Sequence, residues 1–263
     1  MKPHHLTIVP LLAAFALLPL QAGEEYSAIP PDEPYFAGSS GSGDWEVTLS
    51  PFAWFTEMKG IVGEGALAAP VDVDFGDIWD NGEMAFLAAA EVRRGRWSLQ
   101  TILVWLDLSA SDTNGGLAYD SVGLDMEQTI LDLRLAYRIL EGRTSAELVA
   151  GARYMAVDAD TSFRGGLLGG TKIHESEDWI DPLVGVRLSH EFNDKWHGVL
   201  HGDYGGFGVS SDSAWEVFGG LGYRVTDSVT IFGGYRYLEV DYDRDFIFDA
   251  EIKGFVLGAQ FEF

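Results

Sequence analysis

The chain has no cysteine and few basic residues, and both shortages narrow what it can be. Without cysteine there is neither a disulfide framework nor a lipid anchor on an N-terminal cysteine. Lysine and arginine together number 17, against 41 aspartates and glutamates, which gives a formal net charge of −24. Nucleic acid is therefore excluded as a partner, because phosphate binding needs a basic surface.

Long apolar runs are also missing beyond the first 20 residues. No later stretch reaches 18 apolar residues, so the sequence predicts no transmembrane helix after that point. The beginning of the chain combines Lys2, an apolar run from Leu6 to Leu20 and the small residue Ala22. This is the layout of a secretory signal peptide, and the run is too short for a spanning helix. We therefore predict a signal peptide over residues 1–22 and an exported chain.

The remaining sequence divides into a tail and a long patterned region. Residues 23–43 contain several prolines and the stretch "GSSGSG" without apolar periodicity, which predicts a flexible periplasmic segment. Residues 44–263 alternate between apolar and polar positions and are predicted to form one β domain of ten strands. The strands are expected at about 44–57, 82–94, 97–110, 124–140, 145–159, 179–192, 196–209, 213–226, 229–243 and 249–263.

The alternation places apolar side chains on one strand face and charges on the other. In the stretch 129–139, Leu131 and Leu133 share one face, whereas Asp132 and Arg134 share the other. A face that carries both Asp and Arg suits the ion-paired interior of a barrel whose outside touches lipid. Tight turns also alternate with longer polar segments, as they do in outer-membrane barrels.

These patterns predict an all-β fold, a transmembrane antiparallel up-and-down β-barrel of about ten strands. Twelve strands is an open alternative, because Val71–Phe75 would add a strand within the doubtful segment 60–81. Eight strands is a weaker alternative. In two related stretches the apolar residues change face, at Tyr154-Met155 and at Tyr237-Leu238. Either a β-bulge or the emergence of the strand from the membrane accounts for this change.

Aromatic residues recur along the strands at spacings of eight or nine residues. Trp45 and Trp54 are nine apart, and Trp97 and Trp105 are eight apart. Eight residues of a strand tilted by about 40° climb about 20 Å, close to the height of the apolar band of such barrels. We therefore predict two aromatic girdles. Their members are Trp45, Trp54, Trp97, Trp105, Trp196, Trp215, Tyr223 and Phe255.

The charged face is predicted to line the lumen as a network of ion pairs. Its members are Glu91, Asp132, Arg134, Arg138, Glu147, Arg153, Asp181, Arg187, Asp203, Glu216, Arg224 and Arg236, and Arg93 and Glu262 share the same face. Barrels of about eight strands are just filled by side chains, so we expect the pairs to plug the lumen or to leave a very narrow path. A small residue two positions before several arginines, such as Gly151 before Arg153, is expected to make room for them.

Acidic residues form three clusters at the presumed outer rim: Asp72, Asp74, Asp77 and Asp80; Asp158 and Asp160; and Asp241, Asp243 and Asp245. Carboxylates suit Ca²⁺ or Mg²⁺, but the last cluster lacks the glycine and the distal glutamate of a calcium loop. We therefore favour a solvated acidic rim and predict no metal site, while leaving divalent cations open as partners.

Catalysis by a serine and a histidine is the remaining chemistry to weigh. His201 and Asp203 alternate on one face together with His197, but Ser210 lies nine residues from His201, about 30 Å along a strand. No other serine lies in a recognisable motif. The sequence therefore predicts no enzyme, no catalytic residue and no cofactor.

The closing stretch "FVLGAQFEF", with Phe261 and Phe263, resembles the C-terminal signal that the barrel-assembly machinery recognises. With the signal peptide and the girdles, the chain resembles Gram-negative outer-membrane β-barrels of the small porin-like or OmpA-like kind. The stretches "DWIDPLVGVRL", "GDYGGFGVSSD" and "GYRYLEVDYD" are similar to a widespread family of such barrels with no assigned activity.

This resemblance implies the cell outer membrane as the location. It also implies outer-membrane lipid, lipopolysaccharide and the barrel-assembly machinery as partners. The expected function is a structural or surface-binding barrel with acidic extracellular loops. A narrow porin-like channel for small solutes is the alternative, and an outer-membrane lipid hydrolase or acyltransferase is a remote one.

Overall fold

The computed structural model describes residues 45–64, 68–73, 85–112 and 120–263. The predicted signal peptide and the predicted periplasmic segment lie outside the described residues, and both stay predictions. Within the described parts of the chain, no helix is long and apolar enough to cross a membrane.

Eleven strands form one antiparallel sheet within the described residues. They are β1 (Trp45–Glu64), β2 (Ala69–Val73), β3 (Ala85–Arg94), β4 (Trp97–Asp112), β5 (Ser121–Leu140), β6 (Thr144–Arg164), β7 (Lys172–Glu191), β8 (Trp196–Gly205), β9 (Ser213–Thr226), β10 (Val229–Asp243) and β11 (Phe246–Glu262). Neighbours in the chain pair with one another from β3 to β11. The pairing of β11 with β1, and of β1 with β3, closes these ten strands into a barrel. The predicted ten-stranded all-β barrel is confirmed.

The doubtful segment near residue 70 contributes a strand that does not enter the ring. β2 pairs with residues 58–62 of β1, beyond the part of β1 that pairs with β3. Its hydrogen bonds extend the wall beside one half of β1. Among the described residues the extra strand therefore adds to the barrel wall and does not raise the number of strands in the ring.

Short turns at one end of the barrel give its orientation. Two to four residues join β3 to β4, β5 to β6, β7 to β8 and β9 to β10, all at the same end. The other end has connections of seven or eight residues after β4, β6 and β8 and one two-residue turn after β10. Short turns face the periplasm in outer-membrane barrels, so we call this end periplasmic and the other end extracellular. β1, β5, β6 and β7 are the longest strands, with 20, 20, 21 and 20 residues.

The outer face carries an apolar band in the periplasmic half of the strands. On β5, Leu131, Leu133 and Leu135 are exposed, and on β11 the exposed residues run from Phe255 to Phe263. Beyond this band β11 presents Asp249 and other charged side chains on the same face. The band is the surface that faces lipid, and the part beyond it stands in water.

At the level where the outer face changes from apolar to charged, the interior changes from charged to apolar. On β6 the buried residues alternate without interruption through Arg153, Met155 and Val157. The register of β6 with both neighbours is continuous there, and that of β10 is continuous at Leu238. The alternative of a β-bulge is therefore wrong. The strands emerge from the apolar band, and beyond it their inner face is apolar and their outer face is polar.

The extracellular half of the barrel is filled by an apolar core. Its members include Met58, Met126, Ile130, Met155, Val157, Trp179, Leu238, Val240, Tyr242, Phe248 and Ile252. The ring of Trp179 stacks on that of Tyr242 at 4.2 Å, and the Tyr242 hydroxyl donates to Glu177 at 2.6 Å. Each large side chain buried in this way contributes about 1.5–3 kcal/mol. The apolar core therefore holds the extracellular half closed.

One member of the predicted girdles lies inside the barrel. Trp54 is only 4% exposed, and the guanidinium of Arg236 lies 4.5 Å above its ring. The reason is the odd spacing, since a residue nine positions from Trp45 points to the opposite face of the same strand. Trp97 and Phe255 are exposed on the outer face, at opposite edges of the apolar band.

The remaining girdle residues also lie on the outer face, and several make contacts between strands. The ring of Trp196 lies 5.0 Å from that of Tyr223 at the periplasmic edge. At the extracellular edge Trp215 stacks on Tyr237 at 4.7 Å, and Trp105 donates to Glu127 at 2.7 Å. Trp45 is exposed at the periplasmic end.

Candidate functional site

The lumen at the level of the apolar band holds two groups of buried charges. The upper ion-pair cluster consists of Asp132, Arg134, Arg153, Asp203, Glu216 and Arg236. The lower ion-pair cluster, nearer the periplasm, consists of Glu91, Arg93, Arg138, Glu147 and Arg187. The two clusters gather eleven charged side chains from strands on opposite sides of the barrel, so they cross the lumen.

Glu216 is the centre of the upper ion-pair cluster. Its Oε2 accepts from Arg153 at 2.7 Å and from Arg236 at 2.8 Å, and it lies 3.3 Å from the Nη2 of Arg134. The Glu216 side chain is 2% exposed. Three guanidinium groups from β5, β6 and β10 therefore converge on one carboxylate of β9.

Two aspartates complete the upper ion-pair cluster. Asp132 accepts from Arg134 at 2.6 Å and from Arg153 at 2.7 Å. Asp203 lies 2.9 Å from Arg134, and its Oδ2 is 2.8 Å from the Nε2 of His201. Each aspartate thus contacts a cation and neutralises charge that burial makes unfavourable.

Glu147 is the centre of the lower ion-pair cluster. It accepts from Arg93 at 2.6 Å, from Arg187 at 2.8 Å and from Arg138 at 3.2 Å. Glu91 accepts from Arg187 at 2.7 Å, which links β3 to β7 through the lumen. Charge-assisted hydrogen bonds of this length are the stronger class in proteins.

Strand register brings these residues together. Asp132 lies directly opposite Arg153, and Glu147 lies opposite both Arg138 and Arg187 on its two neighbours. Asp203 also lies opposite Glu216. Like charges directly opposite one another repel, so the arginines that reach across the lumen are needed to hold this pair of acids.

Two residues predicted for the network are bonded elsewhere. Asp181 accepts from the backbone N–H of Ser211 at 2.8 Å and from its hydroxyl at 2.5 Å, and so holds the β8–β9 loop. Arg224 lies at the periplasmic end and donates to the carbonyl of Asp194 at 2.7 Å. Arg224 lies near the periplasmic end of β9, away from the clusters. Asp181 lies opposite Arg153 in the strand register, but its carboxylate binds the β8–β9 loop instead.

The expected role of the small residues is wrong at the positions where space can be measured. A Cβ on Gly151 would come within 2.1 Å of the carbonyl oxygen of Leu133 on the neighbouring strand. A Cβ on Gly222 would meet the ring of His197 at 1.8 Å. These glycines admit a neighbouring backbone or ring and do not clear a path for an arginine.

The described residues also hold one group whose geometry suits a metal ion. Ligand atoms of His201, Asp203 and Glu216 lie within 4.8 Å of one another, and all three side chains are buried. Arg134 and Arg153 already bring positive charge to both carboxylates. We therefore assign this group to the ion-pair cluster.

The acidic rim does not form a comparable group among the described residues. Asp241 lies beyond the apolar band and directly opposite Asp249 of β11. Partial burial and the charge of Asp249 raise the pKa of Asp241. Asp125 and Asp160 face each other in the same way on β5 and β6. Repulsion of this kind is typical of a solvated rim.

The residues weighed for catalysis do not meet. Ser210 donates to the carbonyl of Ile180 at 2.8 Å, and Ser211 is bound to Asp181. Among the described residues, no hydrogen bond joins His201 to either serine. A serine nucleophile requires such a bond to its base, so this arrangement does not supply one.

Two of the three comparisons with known proteins found similar proteins, and these are outer-membrane barrels. The model of a family described as Opacity family porin protein matches residues 135–263. No curated protein matches the chain. Among solved structures, the outer-membrane protease OmpT from Escherichia coli is similar, with 13% identity, 86% of this chain and 99% of that chain covered, and a TM-score of 0.50.

Two smaller barrels are similar at lower TM-scores. Neisserial surface protein A has 12% identity, covers 83% of this chain and 97% of its own, and has a TM-score of 0.34. Ail of Yersinia pestis, in complex with a heparin analogue, has 11% identity, covers 83% of this chain and 98% of its own, and has a TM-score of 0.37. At these identities the likeness to solved structures concerns the fold.

Proposed function

Because the chain is a Gram-negative outer-membrane β-barrel protein, we propose that it acts as a surface-binding barrel with a closed lumen. One observation carries the proposal. The lower ion-pair cluster, the upper ion-pair cluster and the apolar core follow one another along the axis of the barrel. A solute would have to displace the packed apolar core to pass from one end to the other.

The extracellular end offers a surface for binding. The turn between β6 and β7 has the sequence Gly-Gly-Leu-Leu-Gly-Gly, and Leu167 at its tip is 88% exposed. Gly165, Gly166 and Gly170 have positive φ angles of 69°, 61° and 89°, which favour glycine. Exposed leucines at the tip of a hairpin between two of the longest strands of a strongly acidic protein support a contact with an apolar surface of a partner.

The orientation that this proposal needs can be tested on intact cells. A protease site inserted after Leu167 is expected to be cut by protease added outside the cells, because the tip stands beyond the outer membrane. The matched control is the same insertion after Gly142, in the short turn between β5 and β6. It is expected to stay uncut until the outer membrane is permeabilised. On intact cells, cleavage at the Gly142 insertion alone would show that the protein has the opposite orientation.

Planar bilayers test the closed lumen. Refolded protein is expected to give no stepwise ion currents, whereas an open porin measured in the same bilayers gives them. Cleavage at the Leu167 insertion in liposomes serves as the control that the protein has inserted. Stepwise currents from inserted protein would support the alternative of a narrow porin-like channel for small solutes.

We propose no enzymatic activity. The bonding of Ser210, Ser211 and His201 within the wall and the lumen supports this view, although a protease is among the similar folds. The proposed partners are outer-membrane lipid along the apolar band, and lipopolysaccharide with divalent cations at the acidic rim. The barrel-assembly machinery is the proposed partner of the C-terminal strand.

A further inference from the structure

The periplasmic half of the lumen contains a cavity of about 200 Å³ beside the ion-pair clusters. One of its walls is apolar and consists of Phe52, Ile102, Phe218, Phe232 and Val256, from five strands. The apolar core closes it on the extracellular side. Toward the periplasm it reaches residues 46 and 260, close to the ends of β1 and β11.

Glycines keep this cavity open. A Cβ on Gly220 or on Gly234 would come within 2.8 Å of the ring of Phe218, and a Cβ on Gly258 within 2.6 Å of the ring of Phe232. Both rings therefore lie close against the barrel wall, where only glycine leaves space for them. With a side chain at these positions the rings would have to move away from the wall.

Two buried arginines with unpaired donors line the same cavity. Arg236 and Arg134 both line the cavity and are 3% and 2% exposed. The Nε and Nη1 of Arg236 and the Nε of Arg134 have no hydrogen-bond partner among the described residues. Buried donors are normally satisfied, so these nitrogens call for an acceptor.

We propose that this cavity binds a small monocarboxylate with an apolar body, carboxylate toward Arg236 and body against Phe218 and Phe232. Guanidinium groups bind carboxylates through paired, charge-assisted hydrogen bonds. Three carboxylates also line the cavity. Glu216 is shared among three arginines and Glu91 between two, which neutralises these two, whereas Glu46 lies near the periplasmic end of β1. The volume of the cavity limits the ligand to a small molecule.

Calorimetric titration of the refolded protein in detergent micelles with benzoate tests this proposal. Saturable binding is expected for benzoate, and markedly weaker binding for benzamide, which has the same shape without the charge. If folded protein bound neither benzoate nor benzamide saturably, the proposal would be overturned, and water would be the occupant of the cavity. Equal binding of the two would overturn the role of the carboxylate.

Two variants and a matched control separate the site from the fold. Arg236→Lys keeps the charge but loses the paired donors, and it is expected to weaken benzoate binding about tenfold or more. Arg224→Lys makes the same change at an arginine that lies outside both clusters and outside the cavity lining, and it is expected to bind benzoate like the parent. Similar affinities of the two lysine variants would contradict the proposal.

Val256→Phe fills the cavity without touching a charge. It is expected to abolish benzoate binding while the protein keeps its heat-modifiable gel mobility, which reports a folded barrel. Undiminished binding by this variant would place the site elsewhere and overturn the proposal.

Discussion

Glu216→Ala is expected to lower the free energy of unfolding by about 3–5 kcal/mol, because it leaves buried charges without their partner. The carboxylate removed contacts Arg134, Arg153 and Arg236, all of them almost fully buried. Without it three guanidinium groups face one another across the lumen with two aspartates to neutralise them. The midpoint of urea unfolding in liposomes measures the loss.

An exposed pair provides the control for Glu216. Glu141 lies 3.3 Å from Arg96 at the periplasmic turns, and the Arg96 side chain is 51% exposed. Glu141→Ala is expected to change the free energy of unfolding by about 0–1 kcal/mol, as exposed ion pairs usually do. Equal midpoints for the two variants would show that water fills the lumen and screens the upper ion-pair cluster.

Deletion of Phe263 is expected to reduce assembly in cells far more than folding in the test tube. The side chain is 78% exposed toward lipid, and its backbone N–H donates to the carbonyl of Val47 at 3.0 Å. Its loss removes at most about 1.5–3 kcal/mol of apolar burial. Refolding into micelles should survive, whereas the amount in the outer membrane should fall strongly if the assembly machinery recognises this residue.

Phe255→Ala is the matched control, because Phe255 is 68% exposed on the same face of the same strand. It removes similar apolar area at a position away from the terminus. Cells are therefore expected to hold more of this variant than of the deletion. Equal amounts of the deletion and the parent in the outer membrane would mean that the terminal residue is no assembly signal.

Alternation along single strands could be predicted from the sequence, and it placed most side chains on the correct face. Leu131 and Leu133 face outward and Asp132 and Arg134 face inward, because strand geometry has a period of two. The same rule, applied to an odd spacing, would have placed Trp54 in the lumen. The closing pair of strands followed from the even number of alternating segments.

The partners of the charged residues could not be predicted in the same way. That Glu147 meets Arg93, Arg138 and Arg187 depends on the register of three strand pairs and on the diameter of the barrel. The change of polarity at Met155 was visible in the sequence, but a bulge and an emerging strand produce the same local pattern. Only the continuous register distinguishes them.

The outer face changes from apolar to charged at the same level at which the interior changes from charged to apolar. This common level fixes the height at which the barrel sits in the bilayer. Sinking by two residues would bring a ring of acids, among them Glu127, Asp158 and Glu251, toward the hydrocarbon, where charged side chains on the lipid face are destabilising. Rising by the same amount would expose the leucines of β5 to water. The protruding half therefore has a constant height. It holds Leu167 at a set distance above the membrane, whatever the thickness of the lipopolysaccharide sugars around it.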